Sequence, residues 1–238
     1  MSDPRATGGD RRAPVVLAFD TAGSACSVTV GCGQATLAGE RREMRHGHAE
    51  ALLPMIDRAM AAAALTPADI NIVATSIGPG GFTGIRVGLA AAQGLALAAR
   101  AELVGVTSFA AVAALVLEAD TPILVALDSR REDFYVQVFA GDGSPLGPPA
   151  AILPEDLGQF VTDTVGNAKL RIAGDAADNA AATLADRDLT VIAGSEPDAR
   201  GVLAATRRPG FATLARPLYL RPPDVSFAKA RSRVGGAA

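Results

Sequence analysis

The five residues Leu17-Ala18-Phe19-Asp20-Thr21 decide the fold, because a second copy of their pattern, Val125-Ala126-Leu127-Asp128-Ser129, opens the other half of the chain. Each copy predicts an apolar strand that ends in an aspartate. Six residues beyond each aspartate a second apolar strand begins, at Cys26 and at Phe134. The repeat predicts two halves of similar topology, although two apolar strands can also resemble each other by chance.

The order of elements around the first copy indicates the fold class. We predict strands at Val15–Asp20, Cys26–Val30, Gln34–Arg41, Asn71–Ile77 and Glu102–Val106, and helices at Ala49–Ala64, Thr66–Asp69, Leu89–Arg100 and Ser108–Glu118. A mixed sheet covered by helices suits this order. The chain is therefore expected to be an α/β protein of two ribonuclease-H-like halves, as in the superfamily of actin, heat-shock chaperone ATPases and sugar kinases.

The expected organisation has four parts. Residues 1–13 form a disordered tail, 14–107 the first half, 108–221 a second, degenerate half, and 222–238 a C-terminal tail. In the first half, Pro54 is expected in the first turn of its helix, where proline is tolerated.

Composition excludes several classes of protein. The 238 residues are 49% hydrophobic and 20% charged, which is a globular composition. The net charge of −3 argues against a protein that binds nucleic acid by itself. No signal peptide is visible, and the apolar run Val87–Ala99 is shorter than the roughly 20 residues of a membrane span. We expect a soluble cytoplasmic protein, with Cys26 and Cys32 as small hydrophobes in a reducing compartment.

The glycine-rich stretch Gly78-Pro79-Gly80-Gly81-Phe82-Thr83-Gly84-Ile85-Arg86-Val87-Gly88 joins a predicted strand to an Ala/Leu-rich helical pattern. Such a turn presents backbone N–H groups at a helix N-terminus, where anions bind. No Lys-Ser or Lys-Thr pair follows the glycines, so this is not a Walker A loop. A phosphate cradle and a tight turn with another role both remain open.

Residues for nucleotide or metal chemistry are few. Asp20 and Asp128 could hold Mg²⁺ through water, with Thr21 in a small turn beside the phosphates, but each aspartate could equally cap its own turn. The second turn, residues 129–133, is bulky and charged, and a local salt-bridge cluster there is the simpler interpretation. This asymmetry indicates that nucleotide hydrolysis was lost or never present.

His46 and His48 form the only histidine cluster, and the residue one helical turn after His48 is Leu52 instead of a second ligand. We therefore expect no metal site. No serine lies in a G-x-S-x-G elbow, so no nucleophile constellation is predicted either. An acid–base pair of carboxylates stays open, but nothing in the sequence singles one out.

Small residues recur along one face of the helix after the glycine turn. Gly84, Gly88 and Ala92 lie four apart, with Gly81 and Ala91 beside them. Glycine inside a helix costs about 1 kcal/mol relative to alanine, so close approach of another backbone is the expected compensation. That backbone is either the chain's own sheet or a helix of a partner subunit.

The sequence resembles the TsaB family (formerly YeaZ) over residues 15–221. The resemblance is carried by Phe19-Asp20-Thr21, Cys26-Ser27-Val28, His48 with Leu53-Pro54, the Gly78–Gly88 stretch, Gln93-Gly94-Leu95-Ala96, Gly105-Val106-Thr107-Ser108, Asp128-Ser129-Arg130 and Pro217-Leu218-Tyr219-Leu220-Arg221. Residues 146–209 match only loosely.

The resemblance implies a non-catalytic subunit of the bacterial complex that makes threonylcarbamoyladenosine in tRNA. Family members pair with the catalytic subunit TsaD through the two helices of the first half, are joined by the ATPase TsaE, and also self-associate. The implied interface residues are Leu52, Leu53, Ile56, Met60, Thr83, Gly84, Val87, Gly88, Ala91 and Ala92. The turn that shapes the docking helix comprises Gly78, Pro79, Gly80, Gly81 and Phe82, anchored by Arg86.

No cofactor of the chain's own is implied, and partner subunits would use ATP and a metal ion and supply the contact with tRNA. Two alternatives stay open. One is a stand-alone ATPase or peptidase of the same fold, and the other is nucleotide binding without hydrolysis between the halves.

Overall fold

A computed structural model describes residues 13–118 and 120–221; the expected tails, apart from Ala13, lie outside these ranges. The first half contains five strands and three α-helices. They are β1 (Val15–Asp20), β2 (Ala25–Cys32), β3 (Ala35–Glu43), α1 (His48–Ala62), β4 (Ile72–Ser76), α2 (Phe82–Ala99), β5 (Glu102–Val106) and α3 (Ser108–Val116). A 3₁₀ turn at Pro67–Asp69, closed by a capping box with Thr66, precedes β4.

The second half repeats the same series of elements. They are β6 (Ile123–Asp128), β7 (Phe134–Phe139), β8 (Ala150–Ile152), α4 (Leu157–Val165), β9 (Leu170–Ala173), α5 (Ala177–Thr183), β10 (Leu189–Val191) and α6 (Ala199–Thr206), followed by the short strand β11 (Ala212–Thr213).

Strand order confirms the internal repeat. The second sheet runs β10-β9-β6-β7-β8, and the first runs β5-β4-β1-β2-β3 with β11 added beside β5. In both sheets the first strand pairs antiparallel with the second and parallel with the fourth. The two halves thus share one topology, and the fold is the expected pair of ribonuclease-H-like units.

The two sheets enclose a shared helical layer. Leu17 and Phe19 of β1 pack with α1 and α2 on the outer face, while Val16 and Ala18 pack with α3 and α6 on the inner face. In β6 the inner face carries Ile123, Val125 and Leu127, whereas Leu124 and Ala126 meet α4 and α5. Both first strands are buried on both faces, which explains why they are apolar throughout.

The last described elements do not pack only with the half, residues 108–221, to which the sequence assigns them. Helix α6 packs on the first sheet and β11 pairs with β5 of that sheet. The segment 199–221 therefore returns to the first half. The physical reason is the inner layer, where α3 and α6 are buried between the two sheets and belong to both cores.

The other predictions from the sequence differ from the structure mainly in where helices and strands begin and end. Helix α2 begins at Phe82, seven residues before the apolar pattern at Leu89, because glycines interrupt the hydrophobic signal without breaking the helix. Pro54 lies in the second turn of α1 instead of the first. Its ring is exposed, and burial of Leu52, Met55 and Ile56 on the opposite face keeps the helix in place.

Helices α3 and α6 cross with almost no side chain between them. A Cβ added at Gly201 would overlap the carbonyl oxygen of Ala111. We expect Gly201→Ala to lower the free energy of unfolding by about 1–3 kcal/mol, the usual cost of overpacking, because backbone must move to make room. Chemical denaturation measures this change.

The matched control is Gly94→Ala in α2, where an added Cβ has no neighbour within 4 Å. Here the helix propensity of alanine should raise the free energy of unfolding by roughly 1 kcal/mol. Equal effects at the two positions would contradict the close helix crossing.

Candidate functional site

The glycine stretch wraps around the turn that follows β1. The N–H of Gly81 donates to the carbonyl of Ala22 over 2.8 Å. A Cβ at Gly80 would lie 2.5 Å from that same oxygen, and one at Gly84 would overlap the carbonyl oxygen of Thr21. The glycines are therefore required by contact with the chain's own backbone.

The small-residue face of α2 points into the first half. Gly84, Gly88 and Ala92 are all buried, and a Cβ at Gly88 would lie 2.6 Å from Oγ1 of Thr21 and 3.0 Å from Oγ1 of Thr75. Thr21 and Thr75 thus occupy the space beside Gly88, so packing onto the chain's own sheet accounts for a glycine at this position.

Six of the ten implied interface residues lie in the interior. They are Leu52, Ile56, Met60, Gly84, Gly88 and Ala92. Leu52, Ile56, Met60 and Ala92 belong to the core between the outer helices and the first sheet. The other four, Leu53, Thr83, Val87 and Ala91, have solvent-accessible side chains. The helical periodicity of the apolar and small residues identified one face of each helix, and in the structure that face packs on the core.

The outer face of α1 and α2 carries two exposed leucines. Leu53, which the resemblance implied, is 51% exposed, and Leu97, which the sequence analysis missed, is 82% exposed. No charged residue lies between Arg86 and Arg100, so the outer face of α2 carries only alanine, glycine, glutamine and leucine from Ala90 onward. The signal that could have identified this exposed apolar face is the lack of any charged residue between Arg86 and Arg100.

Arg86 anchors the turn, as predicted. Its guanidinium lies over the ring of Phe82 at 3.8 Å, and its Nε donates to the hydroxyl of Tyr219 over 3.3 Å. Tyr219 in turn packs on Phe82 with ring centroids 4.8 Å apart. The N–H of Leu218 donates to the carbonyl of Ile77 over 2.8 Å. The C-terminal segment is thereby fixed to the glycine turn.

Asp20 is buried and serves its own turn. Its Oδ1 accepts hydrogen bonds from the N–H of Ala22 and the hydroxyl of Ser76. Its Oδ2 has no hydrogen-bond partner among the described residues. Burial raises the pKa of Asp20 to about 6, against the lowering effect of those hydrogen bonds. Thr21 is also buried and donates to the carbonyl of Gly84 over 2.7 Å.

Asp128 caps the equivalent turn in the second half. Its Oδ1 accepts the N–H of Arg130 over 2.6 Å. Asp175, whose pKa is raised mainly by burial, accepts the N–H of Asp128 over 2.9 Å. The local salt-bridge prediction fails for Asp133, which is buried and pairs with Arg221 of the C-terminal segment.

Two cavities are lined by both halves. One measures about 250 Å³ and lies between residues 79–82 and 129–131. The other measures about 80 Å³ and is lined by the turns after β1, β6 and β9 and by Pro79 and Pro197. Ligand sites for molecules of nucleotide size usually measure roughly 300–1,000 Å³. The residues named for a vestigial nucleotide site, Asp20, Thr21 and Asp128, all hold backbone groups of the protein instead.

Among the described residues, no three histidine, cysteine, aspartate or glutamate side chains come together as metal ligands do. His48 is the first residue of α1, and its pKa is lowered by partial burial and then by the charges of Arg130 and His46. Cys26 is buried and its thiol pKa is raised to about 11 by burial, which suits the hydrophobe predicted.

Helix α2 also meets the length and composition of a membrane span. Its 18 residues, Phe82–Ala99, have a mean hydropathy of 1.3. A single helix of this kind is weak grounds for a span, because helices on the core of a soluble protein have the same composition. In this structure the inner face of α2 is packed on the first sheet.

Comparison with known proteins assigns the family. Residues 42–152 match the family model described as "TsaD: tRNA N6-adenosine threonylcarbamoyltransferase". The Escherichia coli K12 protein named tRNA threonylcarbamoyladenosine biosynthesis protein TsaB is 35% identical over 122 residues, which are 50% of this chain and 52% of that protein. The structure of YeaZ from Pseudomonas aeruginosa superposes with a TM-score of 0.71 at 26% identity, over 87% of this chain and all of that one.

The chain belongs to the TsaB/YeaZ family. An uncharacterized protein of Mycobacterium tuberculosis H37Rv is 34% identical over 88% of this chain and 92% of its own length. The likeness to a ROK hexokinase of Thermus thermophilus, with a TM-score of 0.51 at 13% identity, supports the sugar-kinase fold alone. The alignment with E. coli TsaB spans only about half of that protein (52%).

The buried Asp20 makes stability depend on pH. Its folded pKa of about 6 exceeds the ordinary value of 3.8, so the folded state binds the proton more tightly than the unfolded state. This group therefore stabilises the fold at low pH, and that contribution is lost progressively as pH rises from about 4 through 6. We expect Asp20→Asn to raise the free energy of unfolding at pH 8 by at most about 3 kcal/mol, since raising a pKa by one corresponds to roughly 1.4 kcal/mol.

Urea denaturation at pH 8 and at pH 4 tests this, because the advantage of the Asp20→Asn variant should shrink at the lower pH. Asp128→Asn is the control, since that carboxylate is exposed. A variant that is destabilised equally at both pH values would contradict a raised pKa for Asp20.

Proposed function

We propose that this protein is a non-catalytic subunit in the formation of N6-threonylcarbamoyladenosine in tRNA, and that it docks a TsaD-type catalytic subunit through the outer face of α1 and α2. Membership of the TsaB/YeaZ family and the names of the TsaB relatives support the pathway. The outer face of α2 from Ala90 onward carries no charge and leaves Leu97 82% exposed, which supports the docking surface.

The docking surface is defined by the exposed side of the two helices. It comprises Ala49, Leu53, Thr83, Val87, Ala90, Ala91, Gly94, Leu97 and Ala98. Small side chains let a second helix approach closely, and two large exposed leucines offer apolar area for a partner to bury. The glycines of the inner face contribute indirectly, because they hold α2 against the sheet and so fix the orientation of its outer face.

The absence of catalysis by this chain is supported by what its polar residues do. Asp20 and Asp128 cap turns, Thr21 caps a carbonyl of α2, and Asp133 pairs with Arg221. Each of these groups, which a kinase-like or ATPase-like reaction could use, is occupied by the fold. The cavities lined by both halves, of about 80 and 250 Å³, are also smaller than the roughly 300–1,000 Å³ of a usual ligand site.

The rest of the assembly follows from this role. A TsaE-type ATPase would join the pair, ATP and a metal ion would be used by the partner subunits, and tRNA would be contacted through the complex in the cytoplasm. Self-association through the docking surface is the expected state of the isolated chain, in competition with the TsaD-type partner.

Leu97→Asp tests the docking surface. The side chain is 82% exposed, so the isolated protein should keep its thermal stability, whereas a desolvated aspartate should oppose association. Loss of a central apolar anchor costs on the order of 2 kcal/mol, or about 30-fold in affinity. Calorimetric titration with the TsaD-type subunit of the same organism measures the change.

Leu146→Asp is the control, because Leu146 is 41% exposed and lies between β7 and β8 of the second half, whereas α1 and α2 belong to the first. The affinity of this variant for the partner should stay unchanged. Equal binding by the Leu97→Asp variant and the unchanged protein would refute docking through this face. ATP or peptide turnover by the purified chain would favour the stand-alone enzyme instead.

A further inference from the structure

The cavity of about 250 Å³ that both halves line has walls of unusual composition. They are formed by the glycine turn at residues 79–82, the turn after β6 at 129–131, Tyr135 of β7 and the C-terminal segment at 218–221. None of these residues belongs to the docking surface on the outer face of α1 and α2. The cavity is therefore a feature separate from that surface.

Three arginines line this cavity. Arg130 and Arg131 come from the turn after β6, and Arg221 comes from the C-terminal segment on another wall. Among the described residues that line it, none is an aspartate or a glutamate. Arg221 is held by its ion pair with the buried Asp133, whereas no hydrogen bond or ion pair engages the guanidinium of Arg130 in the described part of the chain. A chain of net charge −3 thus has a locally positive cavity.

Aromatic side chains are concentrated in the same place. The chain has no tryptophan and two tyrosines, and both of them, Tyr135 and Tyr219, line this cavity together with Phe82. The ring of Phe82 is covered by Tyr219 and by the guanidinium of Arg86. Tyr219 itself is 36% exposed, so part of its ring remains accessible to a further planar group.

Accessible aromatic rings beside arginines are the combination that binds unpaired nucleotides, because the base stacks on the ring and the guanidinium groups contact phosphates. The volume of about 250 Å³ lies below the range of usual ligand sites, so the base enters and its phosphates stay at the rim. The arginines come from two walls. This arrangement suits a nucleotide within a strand, which has a phosphate on each side, better than a free mononucleotide, which has phosphate on one side only.

We propose that this cavity binds the base of one unpaired nucleotide in an RNA strand, stacked on Tyr219, with the neighbouring phosphates contacted by Arg130 and the other arginines of the rim. The identity of the strand rests on the proposed function, since a subunit of a tRNA-modifying complex meets RNA. A single pocket supplies one local contact, which agrees with a net charge that argues against binding of nucleic acid by the whole chain alone.

Fluorescence anisotropy tests the stacking contact, with the full chain titrated at low salt into a labelled single-stranded RNA of about ten nucleotides. Tyr219→Leu removes the ring and should weaken binding at least about fivefold, the low end for loss of one stacked base. Tyr219→Phe keeps the ring and should bind as the unchanged protein does. Both variants lose the hydrogen bond between the Tyr219 hydroxyl and Arg86, so a difference between them reports the ring alone.

The salt dependence of the same titration tests the phosphate contact. Arg130→Gln should weaken binding and reduce the slope of log affinity against log salt by about 0.7, the value for one phosphate of a single strand. Tyr219→Leu should leave that slope unchanged. Arg42→Gln is the control, because it removes the same charge from the exposed edge strand β3, outside the cavity, and should change neither the affinity nor the slope.

Three outcomes would overturn the proposal. They are the absence of saturable RNA binding, equal affinities of the two Tyr219 variants, and equal losses in the Arg42 and Arg130 variants. Displacement of the RNA by AMP at a similar concentration would assign the cavity to a free nucleotide instead of a strand. RNA binding by a chain that does not bind the TsaD-type subunit would mean that the proposed function fails and the pocket stands, and partner binding without RNA binding would mean the reverse.

Discussion

The structure depends on one backbone contact, between the turn after β1 and the glycine face of α2. The carbonyls of Thr21 and Ala22 occupy the space that side chains at positions 80 and 84 would fill. Because these backbone atoms fill the space, positions 80 and 84 can carry no side chain, and only glycine fits there. This contact orients α2, sets which of its faces is outside, and buries the turn that follows β1.

That burial accounts for the chemistry of the site. Once the turn is covered by α2, Asp20 loses water, its pKa rises to about 6, and its Oδ1 is held by Ala22 and Ser76. Thr21 donates its hydroxyl to a helix carbonyl. The turn after β1 is therefore an internal contact between β1 and α2.

The fold could be predicted from the sequence because it rests on local patterns. The strands at Leu17 and Val125 are apolar at every position before the aspartate, their aspartates fall at the same place, and the spacing to the next strand is equal. The return of α6 and β11 to the first half could not be predicted, because it depends on contacts such as Gly201 with Ala111, which are distant in sequence.

The candidate site was predicted less well, for a reason that Gly88 illustrates. A row of small residues requires a close neighbour, but the sequence does not say whether that neighbour is the chain itself. In the structure the neighbours of Gly88 are Thr21, which follows β1, and Thr75 of β4, so the close neighbour is the chain itself. Leu97 illustrates the opposite case. A leucine in an Ala-rich helix is expected to lie in the core, but Ala92 and Ala96 are the buried residues of α2, so the core lies on the other side of the helix from Leu97.

The C-terminal segment, residues 217–221, contacts both the start of α2 and the second half. Tyr219 packs on Phe82 and Arg86, while Arg221 pairs with Asp133 beside the turn after β6. This segment therefore joins the first residues of α2 to the second half. Any partner that engages the outer face of α2 meets a helix held at its N-terminus by both halves and along its inner face by the first sheet. A helix fixed in this way loses little conformational entropy on association, so an apolar face of modest size can still support a specific interface.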